Sequence, residues 1–149
     1  KSRTVFHPNS YGLHTPASPH LSAQLDGVRI ELSKIVRPTT DNTLIIEAAG
    51  GLYVPLNDED TMLDLILPTD KVVLVSRHYL GSINHTMLTY EALKNKGLNV
   101  HGIIFSGTPT PSTEEFILHK TGLPVLLRID EEPYFDKQVV KEYASKLKI

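Results

Sequence analysis

The chain has 149 residues, of which 40% are hydrophobic and 21% charged, and its formal net charge is −2. This length predicts a single domain that is large enough to bury a core. The mixed charges give no electrostatic footprint for nucleic acid, and no apolar run reaches the roughly 20 residues that cross a bilayer. We therefore expect no nucleic-acid or membrane partner and a cytoplasmic location. The absence of cysteine excludes disulfides, thiol catalysis and zinc–thiolate sites.

The first third of the chain carries weak structural signals. Residues 1–11 have no hydrophobic period and residues 12–19 carry two prolines, which predicts an extended or loop segment. Ser-Pro then opens a predicted short helix at residues 19–26, with Leu21 and Leu25 as an apolar pair one turn apart. Residues 28–36 fit either a strand at a sheet edge or a helix, and both interpretations stay open.

The stretch LIIEAAGGLYVPLN, which begins at Leu44, is the centre of the prediction. Its first three residues form an apolar run of the kind found in strands buried on both faces of a parallel sheet. Glu47 would then lie at the carboxyl end of that strand, where open α/β sheets bind ligands. Gly50 and Gly51 let backbone approach such a ligand closely. This pattern predicts a phosphate and Mg²⁺ shelf, and a strand-to-turn connection without a ligand is the alternative.

Strands and helices alternate through the rest of the chain. The predicted strands are at residues 71–76, 100–105 and 125–129, and the predicted helices are at 62–67, 84–96, 112–122 and 136–147. The third helix would begin with a capping box of Ser112 and Glu115. The last would carry Val139, Val140 and Tyr143 on one face. This order predicts an α/β fold with a mostly parallel sheet flanked by helices. We treat residues 1–149 as one domain.

Loops after successive parallel strands open on the same edge of a sheet. We therefore expect residues 47–51, 76–84, 106–107 and 130–132 to surround one crevice. The loop YLGSIN at residues 79–84 leads into a helix whose first N–H groups would bind a carboxylate, and an ordinary capped turn is the alternative. The sequence contains no G-x-x-x-x-G-K-[ST] motif, and its histidines have no metal-motif spacing.

Five segments, taken in order, resemble the dethiobiotin synthetase family: TPASPHL from Thr15, LIIEAAGG from Leu44, VVLVS from Val72, LGSINHTMLT from Leu80 and FSG from Phe105. The fourth is the most specific, because it is close to the family pattern L-G-x-I-N-H-x-x-L-T. The resemblance covers nearly the whole chain. It implies a three-layer α/β architecture of the P-loop NTPase type, a homodimer, and a chain that corresponds to the C-terminal major part of the family domain.

The resemblance also implies an enzyme, an ATP-dependent dethiobiotin synthase of biotin biosynthesis with Mg²⁺ and ATP as its required ligands. In the family reaction, 7,8-diaminononanoate, CO₂ and ATP give dethiobiotin, ADP and phosphate. One amine is carboxylated to a carbamate, ATP phosphorylates the carbamate, and the second amine closes the ureido ring.

Residues of this chain match the binding segments of the family. Glu47 matches the Mg²⁺ ligand. The implied nucleotide-binding residues are Glu47, Ala48, Ala49, Gly50, Ser106, Gly107, Asp130, Glu131 and Glu132. The implied substrate-binding residues are Gly50, Leu80, Gly81, Ser82, Ile83 and Asn84, and the last five would receive the substrate carboxylate across the dimer interface.

Three departures from the family pattern qualify this expectation. The family's P-loop, its catalytic Lys and a further metal-binding Asp belong to an N-terminal portion that this sequence does not contain. We therefore expect no catalytic residue within these 149 residues and no ATP hydrolysis by this chain alone. Ala48 stands where the family usually has Gly. Ser106 stands where an Asn commonly reads adenine, and its hydroxyl lacks the paired donor and acceptor of an amide, which predicts weaker base discrimination.

Three other interpretations compete with a synthetase. They are a catalytically silent protein that binds nucleotide or substrate, another P-loop-type ATPase such as a partitioning or cobyrinate-amidation relative, and a purely structural α/β module. The loop LGSINH disfavours the second, and the convergence of polar loops disfavours the third.

Overall fold

The computed structural model describes residues 4–148. Its elements in chain order are α1 (Pro19–Leu25), two 3-10 helices (Leu32–Lys34 and Met62–Leu65), β1 (Val72–Arg77), α2 (Ser82–Asn95), β2 (Val100–Ser106), α3 (Pro111–Thr121), β3 (Val125–Ile129) and α4 (Lys137–Lys146). The chain divides into two compact units, Lys1–Ile66 and Leu67–Ile149. Among the described residues, no helix combines the length and the apolar character that crossing a membrane requires.

The second unit is built on a three-stranded parallel sheet in the order β1-β2-β3. Helix α2 connects β1 to β2, and α3 connects β2 to β3. The predicted α/β class with a parallel sheet is therefore confirmed. The three strands predicted within this unit differ from the observed ones by at most one residue at either end.

The core of this unit lies between the sheet and its crossover helices. Ile103 and Phe105 are two residues apart on β2 and therefore lie on the same face of the strand. Both are fully buried, together with Leu93 of α2 and Ile117 of α3. Burial of each such side chain contributes about 1.5–3 kcal/mol. A buried hydrogen bond of 2.7 Å joins the hydroxyls of Ser76 and Thr86, so these two polar groups are paired within the layer.

Two helix starts differ from the predictions. Helix α2 begins at Ser82 after Gly81, whose φ of 100° suits glycine, and not at Asn84. The capping box predicted for α3 is wrong, because the N-cap is Thr110 and Pro111 occupies the first turn. Proline is preorganised for the first helical position, and its fixed φ starts the helix one residue before Ser112.

Helix α4 begins where the sequence predicts. The Asp136 carboxylate accepts hydrogen bonds from the backbone N–H groups of Gln138 and Val139, at 2.8 and 2.9 Å. The predicted apolar face is only partly correct, because Val139 and Tyr143 are half-buried and Val140 is exposed. Capping, rather than deep burial, therefore specifies this helix.

The first unit has a small core of its own, formed by Ala23, Ile30, Leu56 and Met62. Helix α1 buries Ser22 and Ala23, while Leu21 and Leu25 are exposed. The predicted apolar pair is therefore wrong: small residues face the core. Residues 28–36, which were open between strand and helix, form only the 3-10 helix Leu32–Lys34.

The buried strand predicted at the start of LIIEAAGG is also wrong. Residues 44–46 have no strand hydrogen bonds, and Ile45 and Ile46 are 86% and 58% exposed. A strand needs a neighbour to pair its backbone groups, and no described residue supplies one here.

The helix predicted after this segment is a 3-10 helix, Met62–Leu65, which Thr61 and Asp64 cap reciprocally.

Candidate functional site

The carboxyl ends of the three strands lie side by side at one edge of the sheet. Arg77 pairs with Ser106, and Ser106 with Ile129, at the last positions of β1, β2 and β3. Beyond these positions, the N–H of His78 donates to the Ser106 carbonyl at 2.8 Å and that of Gly107 to the Ile129 carbonyl at 2.9 Å. The loops at 76–84, 106–107 and 130–132 therefore meet at one edge, as predicted. Residues 47–51 belong to the other unit.

A cavity of about 810 Å³ opens at this edge. The five predicted carboxylate-binding residues, Leu80, Gly81, Ser82, Ile83 and Asn84, all line it. A second wall consists of Thr108, Thr110 and Thr113, which lead into and start α3. Its volume is within the range of about 300–1,000 Å³ that small-molecule sites occupy.

The start of α2 gives this cavity a positive end. Gly81 is the N-cap and carries no side chain, so no side-chain hydrogen bond caps the first turn. The first N–H groups of a helix lack intrahelical acceptors and carry the positive end of its dipole. Asn84, which is exposed, adds a side-chain amide at the third helical position. This arrangement suits a carboxylate.

A buried polar network lies beside the cavity, and sequence reasoning missed it. The His78 side chain is 4% exposed, and its Nε2 lies 3.1 Å from Oε1 of the buried Glu114. The other carboxylate oxygen of Glu114 accepts from Arg128 Nε at 2.7 Å. The His78 ring also stacks on Phe105, with centroids 5.5 Å apart. The Glu114 carboxylate therefore joins three elements: the residue after β1, the first turn of α3, and β3.

One atom of this network has no partner. A carboxylate only accepts hydrogen bonds, so Nε2 of His78 carries the proton in the contact with Glu114. Its Nδ1 is buried and bonds to nothing within the described part of the chain. Leaving a buried polar atom unpaired costs about 1–3 kcal/mol. Such an exception in a folded protein calls for an explanation.

The predicted nucleotide-base segments are held together by direct hydrogen bonds. The Thr108 hydroxyl, next to Gly107, donates to Glu131 Oε2 at 3.1 Å. The Tyr143 hydroxyl donates to Glu132 Oε1 at 2.5 Å and accepts from the Asp130 N–H at 3.1 Å. Tyr143 thus anchors the loop after β3 to α4. The sequence placed Tyr143 on an apolar face and gave no signal for this polar role.

This anchor predicts a pH-dependent contribution to stability. The hydrogen bond to Glu132 raises the pKa of the Tyr143 hydroxyl above its usual value. A raised pKa means that the stabilisation is complete below the unfolded value of about 10 and disappears as pH rises through the folded value. Tyr143→Phe should therefore lower the free energy of unfolding by a constant amount between about pH 6 and 9, and by less above about pH 10.

Urea denaturation across this pH range measures the effect. Tyr134→Phe is the matched control, because Tyr134 is exposed on the same connection and should show no such difference. A Tyr143→Phe deficit that persists undiminished at the highest pH would contradict the assignment.

Residues 47–50 of the first unit form an exposed turn. Gly50 has a φ of 78°, and a Cβ there would lie 2.8 Å from Val54 Cγ2, so the turn itself requires glycine. Ala48 and Ala49 are exposed. Glu47 is exposed, and no hydrogen bond or ion pair engages its carboxylate among residues 4–148.

The Glu47 carboxylate is compatible with Mg²⁺. No group of three His, Cys, Asp or Glu side chains that could hold a metal occurs among the described residues. Mg²⁺ usually keeps several waters and takes one or two carboxylates together with substrate phosphates. One free carboxylate therefore fits the donor set that the ion takes from a protein beside a nucleotide.

Several known proteins resemble this chain over most of its length. A family model described as an AAA domain matches residues 1–139. The ATP-dependent dethiobiotin synthetase BioD of Christiangramia forsetii is 53% identical over 97% of this chain and 70% of that protein. The enzymes of the same name from Cytophaga hutchinsonii and Brucella anthropi are 48% and 42% identical, over 97% and 95% of this chain and 71% and 67% of their own lengths.

Proposed function

Because this chain belongs to the ATP-dependent dethiobiotin synthetase family, we propose that it acts in biotin biosynthesis and closes the ureido ring of dethiobiotin from 7,8-diaminononanoate, CO₂ and ATP. The observation that carries the proposal is the cavity at the end of the sheet, lined by all of LGSIN at residues 80–84. The family pattern at these residues and an uncapped helix start occur together there. A long-chain amino acid with a terminal carboxylate suits such a cavity.

The diamino acid would bind with its carboxylate against the first turn of α2. Gly81 allows the ligand to approach the backbone. The Ser82 N–H already donates to the Tyr79 carbonyl at 3.0 Å, so the N–H groups of Ile83 and Asn84, with the Asn84 amide, would supply the donors. Ser82 and Ile83 lie in the same turn, and Leu80, which also lines the cavity, is exposed. Binding there fixes one end of the chain-like substrate, which orients its two amines.

The nucleotide would be held by two groups of residues. Ser106 and Gly107 would border the base, together with Asp130, Glu131 and Glu132, whose loop is anchored by Thr108 and Tyr143. Glu47 would hold Mg²⁺, and the exposed backbone of Ala48, Ala49 and Gly50 would lie against nucleotide and substrate. When bound, Mg²⁺ neutralises charge on the phosphates of ATP.

Turnover would require the P-loop portion of the family, because no Walker-type lysine motif occurs in these 149 residues. We call the chain together with that portion the complete protein. We propose that it works as a homodimer in the cytoplasm, with residues 80–84 of one subunit serving the active site of its partner.

The test is a coupled measurement of products. The complete protein, supplied with 7,8-diaminononanoate, bicarbonate, ATP and Mg²⁺, should form dethiobiotin and ADP in equal amounts, and omission of the diamino acid should stop ADP formation. A folded protein that binds both substrates and forms neither product would support the silent binding protein instead. ADP formation that ignores the diamino acid would contradict the proposal.

The Ser106 position predicts the nucleotide preference. An Asn side chain offers adenine both a donor and an acceptor, whereas the Ser hydroxyl is shorter and offers one group. Ser106→Asn should therefore raise the ratio of kcat/KM for ATP to that for CTP by about tenfold, the worth of one added hydrogen bond.

Steady-state kinetics with each triphosphate on the complete protein measure this ratio. Ser112→Asn is the matched control, because Ser112 is exposed in the first turn of α3 and should leave the ratio unchanged. Equal ratios in the Ser106→Asn and parent proteins would refute the assignment of Ser106 to the base pocket.

A further inference from the structure

We propose that Glu114, through His78 and Arg128, positions the two walls of the substrate cavity and thereby sets its affinity for the diamino acid. This inference rests on the proposed function, since it assumes that the diamino acid occupies the cavity. None of the three residues matches a binding segment of the family resemblance. They would act as positioning residues, without a role in the chemical steps.

His78 fixes the first wall. It directly precedes the loop that carries Leu80–Asn84, and it lines the cavity itself. Its backbone N–H donates to the Ser106 carbonyl at 2.8 Å, and its ring stacks on the buried Phe105. The loop is therefore attached at its root both by backbone and by side chain. Any shift of the His78 ring would move the start of this loop.

Glu114 fixes the second wall. It lies in the first turn of α3 and is buried, and its neighbours Thr110 and Thr113 line the cavity. One carboxylate oxygen faces His78 Nε2 at 3.1 Å, and the other accepts from Arg128 Nε at 2.7 Å. The two cavity walls thus meet through a single side chain, and Arg128 holds that side chain to β3.

The chemistry of this junction favours a positioning role over simple packing. Apolar side chains of similar volume usually stabilise a fold as well as a buried ionic group does, because they avoid its desolvation. A hydrogen-bonded carboxylate adds direction, since it holds its partners at fixed distances and angles. The network also retains an unpaired Nδ1 on His78. Geometry, rather than stability, accounts for such an arrangement.

The consequence concerns binding more than chemistry. The Glu114 carboxylate contacts only the side chains of His78 and Arg128, neither of which is assigned to the nucleotide. The backbone hydrogen bond from His78 to Ser106 does not involve Glu114. Loss of Glu114 should therefore alter the fit of the diamino acid and spare ATP. In Glu114→Met the two walls lose their link. The KM for the diamino acid should then rise by about tenfold or more, because even a small displacement of a binding wall weakens the fit of the substrate. The kcat and the KM for ATP should stay within about twofold.

The experiment compares Glu114→Met, Glu114→Gln and the matched control Glu115→Met in the complete protein. Glu115 is the exposed neighbour on the same helix turn. The Gln side chain keeps an oxygen that accepts from Arg128. Its NH₂ group can donate to Nε2 of His78 when the ring proton is on Nδ1, so Glu114→Gln should recover most of the affinity. Steady-state kinetics and calorimetric titration of the diamino acid provide KM, kcat and Kd, and circular dichroism reports folding.

Each outcome of this experiment either supports or contradicts the proposal. A selective rise in KM and Kd for the diamino acid in Glu114→Met, with recovery in Glu114→Gln, supports the proposal. Parallel losses for ATP and diamino acid, or values equal to those of Glu115→Met, overturn it. If Glu114→Met does not fold, Arg128→Met decides in the same way, because Arg128 does not line the cavity and the change removes its contact with Glu114. A folded parent protein that does not bind the diamino acid would instead refute the proposed function.

Discussion

Replacing Glu47 with Gln should lower the Mg²⁺-dependent turnover of the complete protein by about a hundredfold, at the upper end of what perturbing a metal site costs. The amide has the shape of the carboxylate but lacks the charge that Mg²⁺ prefers. The thermal midpoint should not change, because the Glu47 carboxylate is exposed and no described residue bonds to it. The loss of activity therefore reports on the ion rather than on the fold.

Activity measured against Mg²⁺ concentration at saturating ATP distinguishes the mechanism. Glu47→Gln should need more Mg²⁺ for half-maximal rate, whereas Glu59→Gln, an exposed carboxylate of the same unit, should behave as the parent does. If Glu47→Gln retains the parent's rate and Mg²⁺ dependence, Glu47 is not the metal ligand.

The strands of the second unit could be predicted because their signal is local. KVVLVS, VHGIIFS and VLLRI are short runs of β-branched and apolar residues, bounded by charges, glycine or proline. The turn before α2 could also be predicted from the contiguous segment LGSIN, although the helix begins at Ser82 and not at Asn84. Such features need no knowledge of what lies elsewhere in the chain.

Features that depend on distant partners could not be predicted. Leu44, Ile45 and Ile46 have the composition of a buried strand, but strand formation needs a paired neighbour, which sequence periodicity does not reveal. The His78–Glu114 contact joins residues 36 positions apart, and Glu114 contacts Arg128 across 14 positions. Each of the three residues alone is typical of a solvated surface. Only the packing of α3 on the sheet shows that they form a network.

Asn84→Asp should raise KM for the diamino acid by about a hundredfold, because like charges brought together at a binding surface cost several kcal/mol. The new carboxylate would face the substrate carboxylate in the first turn of α2. Binding of ATP should be largely unaffected. The helix itself should gain stability, by about 0.3–1 kcal/mol, since an acidic side chain near a helix N-terminus interacts favourably with the dipole.

Asn84→Asp should thus lower the affinity for the diamino acid and raise the thermal midpoint. This combination distinguishes a binding effect from unfolding, which would lower both. Asn95→Asp makes the same change at the last residue of α2 and should leave KM unchanged while lowering stability slightly. An unaltered KM for the diamino acid in Asn84→Asp, or an equal loss of affinity for ATP, would show that residues 80–84 do not bind the substrate carboxylate.

The same variants test whether this loop serves the partner subunit. If each active site takes its metal ligand from one subunit and residues 80–84 from the other, a mixed dimer of Glu47→Gln and Asn84→Asp contains one site with both changes and one with neither. Random reassociation of equal amounts makes about half of the dimers mixed, so about a quarter of the parent activity should return. If each subunit instead builds its own site, every site carries one change, and mixing the two variants should restore no activity.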